Sequence, residues 1–190
     1  IITSSNDIRI IQKAKKFNFI THRRKKKYSG PKVSIRTTLL NIVSEMQLKK
    51  NDVVWLFYIP LLYRKKSDFL KIKKFTSKKN FKSLCTFKKT KNQDHPYYCW
   101  GYNQKKKKLF QYIKNDFYRR QDLPNSYMHY HYICCFKIKE LNKLNSELIN
   151  QNTQPIIMRD ELTNKLIEID TKHDLQEYEL IQKNKKIYGK

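Results

Sequence analysis

Glycine is scarce in this chain: three in 190 residues, with five prolines and sixteen acidic residues set against 42 lysines and arginines. Nowhere is there a glycine- and lysine-bearing loop of the kind that cradles nucleotide phosphates. Long apolar runs are missing too. The longest, VVWLFYIPLL at 53–62, has ten residues and a proline inside it, too few to cross a bilayer, so no membrane partner is expected. The four cysteines, Cys85, Cys99, Cys134 and Cys135, follow no regular spacing and form no CxxC. They read as reduced thiols of a cytoplasmic protein rather than as a disulfide framework.

What is abundant is lysine. The formal charge is +26, a surplus that ordinarily marks a polyanionic partner. Here the lysines are spread along most of the chain, and Lys, Asn, Ile, Tyr and Phe are the residues that AT-rich codons encode. Base composition therefore accounts for the surplus about as well as nucleic-acid binding does. Apolar residues at 39% and aromatic residues at 13% suffice for a core, and the length suits one domain over 1–190.

The first residues, IITSS, read as a strand already in progress, which suggests that an N-terminal portion precedes them. NDIRIIQKAKKF follows with Ile8, Ile11 and Ala14 at helical spacing and Asn6 or Asp7 as cap, and NFITHR reads as a second strand. This β-α-β opening predicts an α/β fold with a mostly parallel sheet and flanking helices. SIRTTLLNIVSEMQLKK predicts a helix capped by Ser34, DVVWLFYI a central strand apolar on both faces, KSDFLKIKKFTSKKN a helix, and FKSLCTFKK a strand. HPYYCWGYNQKKKKLFQYI has no helical period. Aromatic residues flank a turn-like NQKKKK, as in a β-hairpin, within an insertion at about 92–118. SYMHYHYICCFKI predicts a strand, KELNKLNSELIN a helix, PIIM a short strand, and KLIEIDTKHDLQEYELIQKNKK a strand entering a final helix.

Three clusters could carry chemistry. In EID, Glu168 and Asp170 lie two apart and so share a strand face; paired carboxylates repel unless a cation lies between them, and hard oxygen ligands suit Mg²⁺. The bland alternative is an exposed strand end with Asp174 capping the last helix through Thr171. In YRRQDLPNSY, Arg119 and Arg120 stand together in a chain with only eight arginines among its 42 cationic residues. A guanidinium fork binds carboxylate or phosphate in a way that lysine cannot, so an acidic ligand or a pairing with Asp122 are both open. In HYHYICC, His129, His131, Cys134 and Cys135 suggest zinc, yet one strand cannot wrap four ligands around a tetrahedral ion.

The order of these segments, with RRQDLPNSY at 119–127 before a strand and LIEIDTKHDL at 166–175 closing the chain, resembles the acylneuraminate cytidylyltransferases, the CMP-sialic acid synthetases and their relatives. IITSSND and HRRKKKYSGPKVS are weakly similar to the family's early strand and the loop after its next one. The resemblance implies a Rossmann-like sheet of the nucleotide-diphospho-sugar transferase type and an enzyme that moves CMP from CTP to an acidic 2-keto sugar, releasing pyrophosphate. It implies Mg²⁺ at Glu168 and Asp170, the catalytic pair. Arg119, Arg120, Gln121, Tyr127 and Arg64 would bind substrate, and a homodimer would form through the hairpin. The family's phosphate loop, A-R-x-G-S-K, lies upstream of the strand at which this chain starts, so the chain is expected to be N-terminally truncated. Two other readings stand beside this one: a non-catalytic relative, and a basic RNA-binding or ribosome-associated protein.

Overall fold

Asp7 begins the first helix by accepting the Arg9 backbone N–H on Oδ1 at 2.8 Å, which satisfies one of the donors that a helix start leaves over. The computed structural model describes residues 1–61, 64–163 and 166–188. Leu62, Tyr63 and Lys165, which fall in stretches used by the sequence reading, lie outside them. The chain divides into two compact units: residues 1–56, 65–85 and 133–154 form one, and residues 57–64, 86–132 and 155–190 form the other.

In the first unit, β1 (Ile2–Ser5), α1 (Ile8–Lys16) and β2 (Ile20–Arg23) make the expected β-α-β, with β1 and β2 parallel and Ser4 opposite His22. Ile11 and Ala14 are the buried face of α1, while Ile8 is exposed. Helix α2 (Ile35–Glu45) starts at Ser34, whose Oγ accepts the Thr37 N–H at 3.1 Å. Strand β3 (Val53–Leu56) follows, then α3 (Lys66–Thr76), whose Phe69 ring stacks on Trp55 at 6.3 Å between centroids.

Strand β4 (Ser83–Lys89), strand β7 (Tyr127–Lys137) and strand β8 (Thr153–Ile157) complete a four-stranded sheet in the order β3-β7-β4-β8. The core lies along β7, where Ile133, Cys134, Cys135 and Phe136 are each 1% exposed or less. Four consecutive buried residues mean that both faces of β7 are covered; burying a side chain the size of Phe136 contributes about 1.5–3 kcal/mol. This corrects one expectation. Val53–Leu56 lies at the sheet edge and runs antiparallel to β7, with Val54 opposite Phe136 and Leu56 opposite Cys134. An apolar run reports cover on both faces; it carries no information about neighbours on both edges.

The stretch 139–150 is another correction. In place of the expected helix stands a 3₁₀ turn, Ile138–Lys143, followed by a loop. The Asn145 carboxamide accepts the N–H groups of Glu147 and Ile149, both at 2.9 Å, and Leu148 takes φ 61°. Short amide side chains compete with the helix for its own backbone donors, and here they win.

In the second unit, β5 (Trp100–Asn103) and β6 (Lys108–Gln111) form the expected antiparallel hairpin. Asn103 Oδ1 accepts the Lys106 N–H at 2.9 Å, closing the turn, and Lys107 carries φ 50° within it. Gly101 faces Phe110 across the pair, and a Cβ there would overlap the Phe110 ring. Helix α4 (Asp160–Thr163) was not foreseen. The strand expected at 165–170 is reduced to one bridge between Leu61 and Glu168, with Ile169 donating to the Pro60 carbonyl at 3.1 Å, before α5 (Lys172–Tyr188) begins. No described helix is long and apolar enough to cross a membrane.

Candidate anion-binding site

The segment 119–126 is a tight turn on the second unit, Arg120–Asp122 forming one turn of 3₁₀ helix. Its two arginines are used differently. Arg119 grips Asp122 with two bonds, Nε to Oδ2 at 3.0 Å and Nη2 to Oδ1 at 3.1 Å, which neutralises it locally. Among the described residues nothing holds the Arg120 guanidinium, and Arg120 lines two neighbouring clefts. Gln121 lines the smaller of these, about 230 Å³, together with Lys89, Thr90, His95 and Pro124. The larger, about 910 Å³, is bordered by Lys88, Lys89, Lys91 and Arg120, with Asp94 and Asp160 as its acidic members. Four cations against two carboxylates leave the cleft positive, and the low-dielectric walls of a cleft focus such a field.

The geometry holding this turn comes from residues that the sequence reading did not single out. Thr90 N–H donates to the Ser126 carbonyl at 3.0 Å, and the His95 ring reaches the Pro124 carbonyl at 2.9 Å. His95 is 3% exposed. The signal available in sequence was the dipeptide His95-Pro96: a polar residue held extended before a proline, able to accept the N–H two residues on.

Glu168 and Asp170 line neither cleft. Glu168 is half-buried in the bridge with Leu61, close enough to Tyr130 that its charge adds to burial in raising the phenol's pKa. Asp170 is exposed, and its backbone N–H donates to Asp174 Oδ2 at 3.0 Å. Asp174 also accepts the Thr171 N–H at 2.7 Å, and Thr171 Oγ1 accepts the Asp174 N–H at 3.2 Å, a reciprocal box at the start of α5. The Thr171 hydroxyl first, then the backbone N–H groups of Thr171 and Asp170, hold the Asp174 carboxyl below its usual range. Asp174 is therefore engaged as a cap. Among the described residues neither the Glu168 nor the Asp170 carboxylate forms an ion pair, and neither belongs to a cluster of three His, Cys, Asp or Glu at ligand distance. As a donor set, two hard oxygens suit Mg²⁺, which keeps several waters and is commonly held by one or two carboxylates.

Arg64 is turned inward. Its Nε donates to the Tyr132 carbonyl at 3.2 Å, Nη2 to the Tyr58 carbonyl at 2.8 Å and Nη1 to the Leu61 carbonyl, while the guanidinium lies over the Phe57 ring at 5.2 Å. Burial lowers its pKa. These bonds tie Arg64 to the backbone at Tyr58, Leu61 and Tyr132. Tyr127 is exposed at the first position of β7. The structure thus brings Arg120 and Gln121 to one cleft, pairs Arg119 beside it, and places Arg64, Glu168 and Asp170 outside its lining.

The two histidines of β7 belong to an aromatic stack in the second unit: Tyr58 lies on His131 at 4.5 Å, and the His129 and His131 rings meet edge to face at 4.6 Å. The thiols that a zinc reading would add are buried in the first unit. Cys134 Sγ is 3.2 Å from Cys85 Sγ; that contact and then burial push its pKa well up, and burial does the same to Cys135. Thiols held protonated are poor zinc ligands.

A second polar cluster, in the first unit, also escaped the sequence reading. Ser4 Oγ lies 3.0 Å from His22 Nδ1, and His22 Nε2 lies 2.9 Å from Glu45 Oε2. A carboxylate only accepts, so Nε2 carries a proton and donates it to Glu45. Glu45 Oε1 accepts from Lys25 Nζ at 2.7 Å and from Asn41 Nδ2 at 3.0 Å; with His22 they lower the pKa of its carboxyl to about 2. This is the connectivity of a nucleophile, base and acid. Neither cleft is lined by any of the three, and His22 is buried, so the relay ties β1, β2 and α2 together.

No protein-family model matches the chain, and no curated protein does.

Proposed function

We propose that this chain belongs to a cytidylyltransferase of the acylneuraminate type and reads the acidic sugar through Arg120. In that reaction the anomeric hydroxyl of a 2-keto sugar acid attacks the α-phosphate of CTP, the bond to pyrophosphate breaks, and a CMP-sugar forms. Such a transfer depends on positioning and on neutralising charge rather than on covalent help from the protein. The observation that carries the reading is the division of labour between the arginines: one is closed on Asp122, while its neighbour is left over a positive cleft with a carboxamide beside it. A bidentate fork is suited to a carboxylate, and Gln121 can bond a sugar hydroxyl.

Glu168 and Asp170 would hold Mg²⁺, which supplies charge neutralisation at the phosphates when bound. The Rossmann-like arrangement, the cytoplasmic location and a homodimer through the hairpin are parts of the same proposal. The hairpin's Trp100, Tyr102, Leu109 and Phe110 are all exposed, an apolar surface of the kind that a second copy would cover.

The test is pyrophosphate release from CTP by the full-length protein in the presence of Mg²⁺ and sialic acid. Release is expected, and Asp170→Asn is expected to abolish it with the fold intact by circular dichroism; undiminished turnover in Asp170→Asn protein would contradict the metal assignment. A second reading is favoured by one observation, the nearness in sequence of Lys105–Lys108 to exposed Trp100, Tyr102 and Tyr112, a combination that stacks and tracks single-stranded RNA. Steeply salt-dependent RNA binding without any response to CTP would favour it.

A further inference from the structure

The turn that presents Arg120 and Gln121 makes mostly local bonds: Arg119 to Asp122, Asp122 N–H to the Arg119 carbonyl, and Leu123 N–H to the Arg120 carbonyl. Across 119–126 the long-range polar ties among the described residues are Thr90 N–H to the Ser126 carbonyl and the His95 ring to the Pro124 carbonyl. The second is the one nearer the arginines, and it comes from a side chain.

We propose that His95, neutral and carrying its proton on Nε2, is the positioning residue that sets the Arg120–Gln121 turn against the cleft. The tautomer follows from its partners. Nδ1 accepts the Tyr97 N–H at 3.2 Å, so the proton sits on Nε2 and is donated to the Pro124 carbonyl at 2.9 Å. A buried imidazole with both nitrogens bonded has one orientation. The platform beneath it is fixed as well: the Tyr98 N–H donates to the His95 carbonyl at 2.9 Å, the Tyr97 ring meets the imidazole edge to face at 5.1 Å, and Asn115 Nδ2 donates to the Tyr97 carbonyl at 3.0 Å. The 95–98 turn is thus closed by its own contacts and tied from outside by Asn115, and among the described residues His95 is the ring that reaches the Pro124 carbonyl. Pro124 has no N–H of its own, so its carbonyl is the one backbone hydrogen-bonding group it offers.

The inference rests on the anion-site reading, and two isosteric changes separate the two. In His95→Gln the side-chain amide keeps a donor near the Nε2 position. In His95→Asn the side-chain oxygen keeps an acceptor near Nδ1 for the Tyr97 N–H and gives up the reach to Pro124. With sialic acid as the titrated probe, His95→Asn is expected to bind on the order of tenfold more weakly, and His95→Gln is expected to recover to within about threefold of wild type. Equal weakening in both variants, or an Asn variant that binds like wild type, overturns the proposal. The two-bond ¹⁵N–¹H spectrum of the histidines is expected to show His95 with its proton on Nε2; a proton on Nδ1 overturns it regardless of ligand. Should wild-type protein bind no sialic acid, the anion reading fails, and amide exchange decides the clasp by itself. Faster exchange at Asp122 and Leu123 in His95→Asn than in His95→Gln supports it, and identical exchange sinks it.

Discussion

His22 and Arg120 are both polar groups on scaffolds of regular structure, yet their surroundings differ in kind. His22 is buried between Ser4 and Glu45, and Glu45 is further bonded by Lys25 and Asn41, so the first unit closes its cluster from within. Arg120 stands over a cleft with Lys89 and Lys91 nearby, and the acid that could have neutralised it, Asp122, is taken by Arg119. A satisfied cluster contributes to stability, whereas an unsatisfied one at a surface contributes little to stability and much to whatever anion arrives. Composition could not make this distinction, because the +26 charge counts both clusters alike.

The largest effect that separates them is on folding. His22→Ala removes a buried ring and leaves Glu45 and Ser4 without it, and urea unfolding is expected to show a loss of about 2–3 kcal/mol. Arg120→Gln, at an exposed position, is expected to stay within about 0.5 kcal/mol of wild type in the same experiment. Equal losses in the two would erase the contrast.

A smaller effect concerns acid. The Glu45 carboxyl is held at about 2 against a usual 4.5, through Lys25 first and then Asn41 and His22. A carboxyl depressed in the folded state adds stability that is fully present above its unfolded value, and that stability is lost as pH falls from there through the folded value. Unfolding midpoints followed from about pH 5 to pH 2 should therefore decline less steeply in Glu45→Gln than in wild type. Parallel curves would show that the carboxylate is not held as its bonds imply.

How far the sequence carried can be followed residue by residue. Local signals held: Asp7 and Ser34 cap the helices that they precede, the aromatic-flanked NQKKKK turns a hairpin, and the Asp174–Thr171 box closes the start of α5. Of the two alternatives raised for the adjacent arginines, the pairing with Asp122 is made by Arg119. Signals that depend on partners far along the chain did not carry. The edge position of Val53–Leu56 is set by β7, some eighty residues on. Glu168 meets Leu61 in a single bridge where alternation alone suggested a strand. At Asn145 the local competition was visible in the residue type, but its outcome depended on two carboxamide bonds that no periodicity displays. At His95 the extended residue before Pro96 was legible, but the bond of its ring to the Pro124 carbonyl spans 29 positions.

The most direct measurement is calorimetric titration of sialic acid into wild-type, Arg120→Gln and Arg119→Gln proteins at one fixed salt concentration. Arg120→Gln is expected to lose about tenfold or more in affinity, as for a charge-assisted bond, and Arg119→Gln to change by less than about threefold, as for an exposed ion pair. Equal losses in the two variants, or a wild-type protein that takes up no acid sugar, would contradict this.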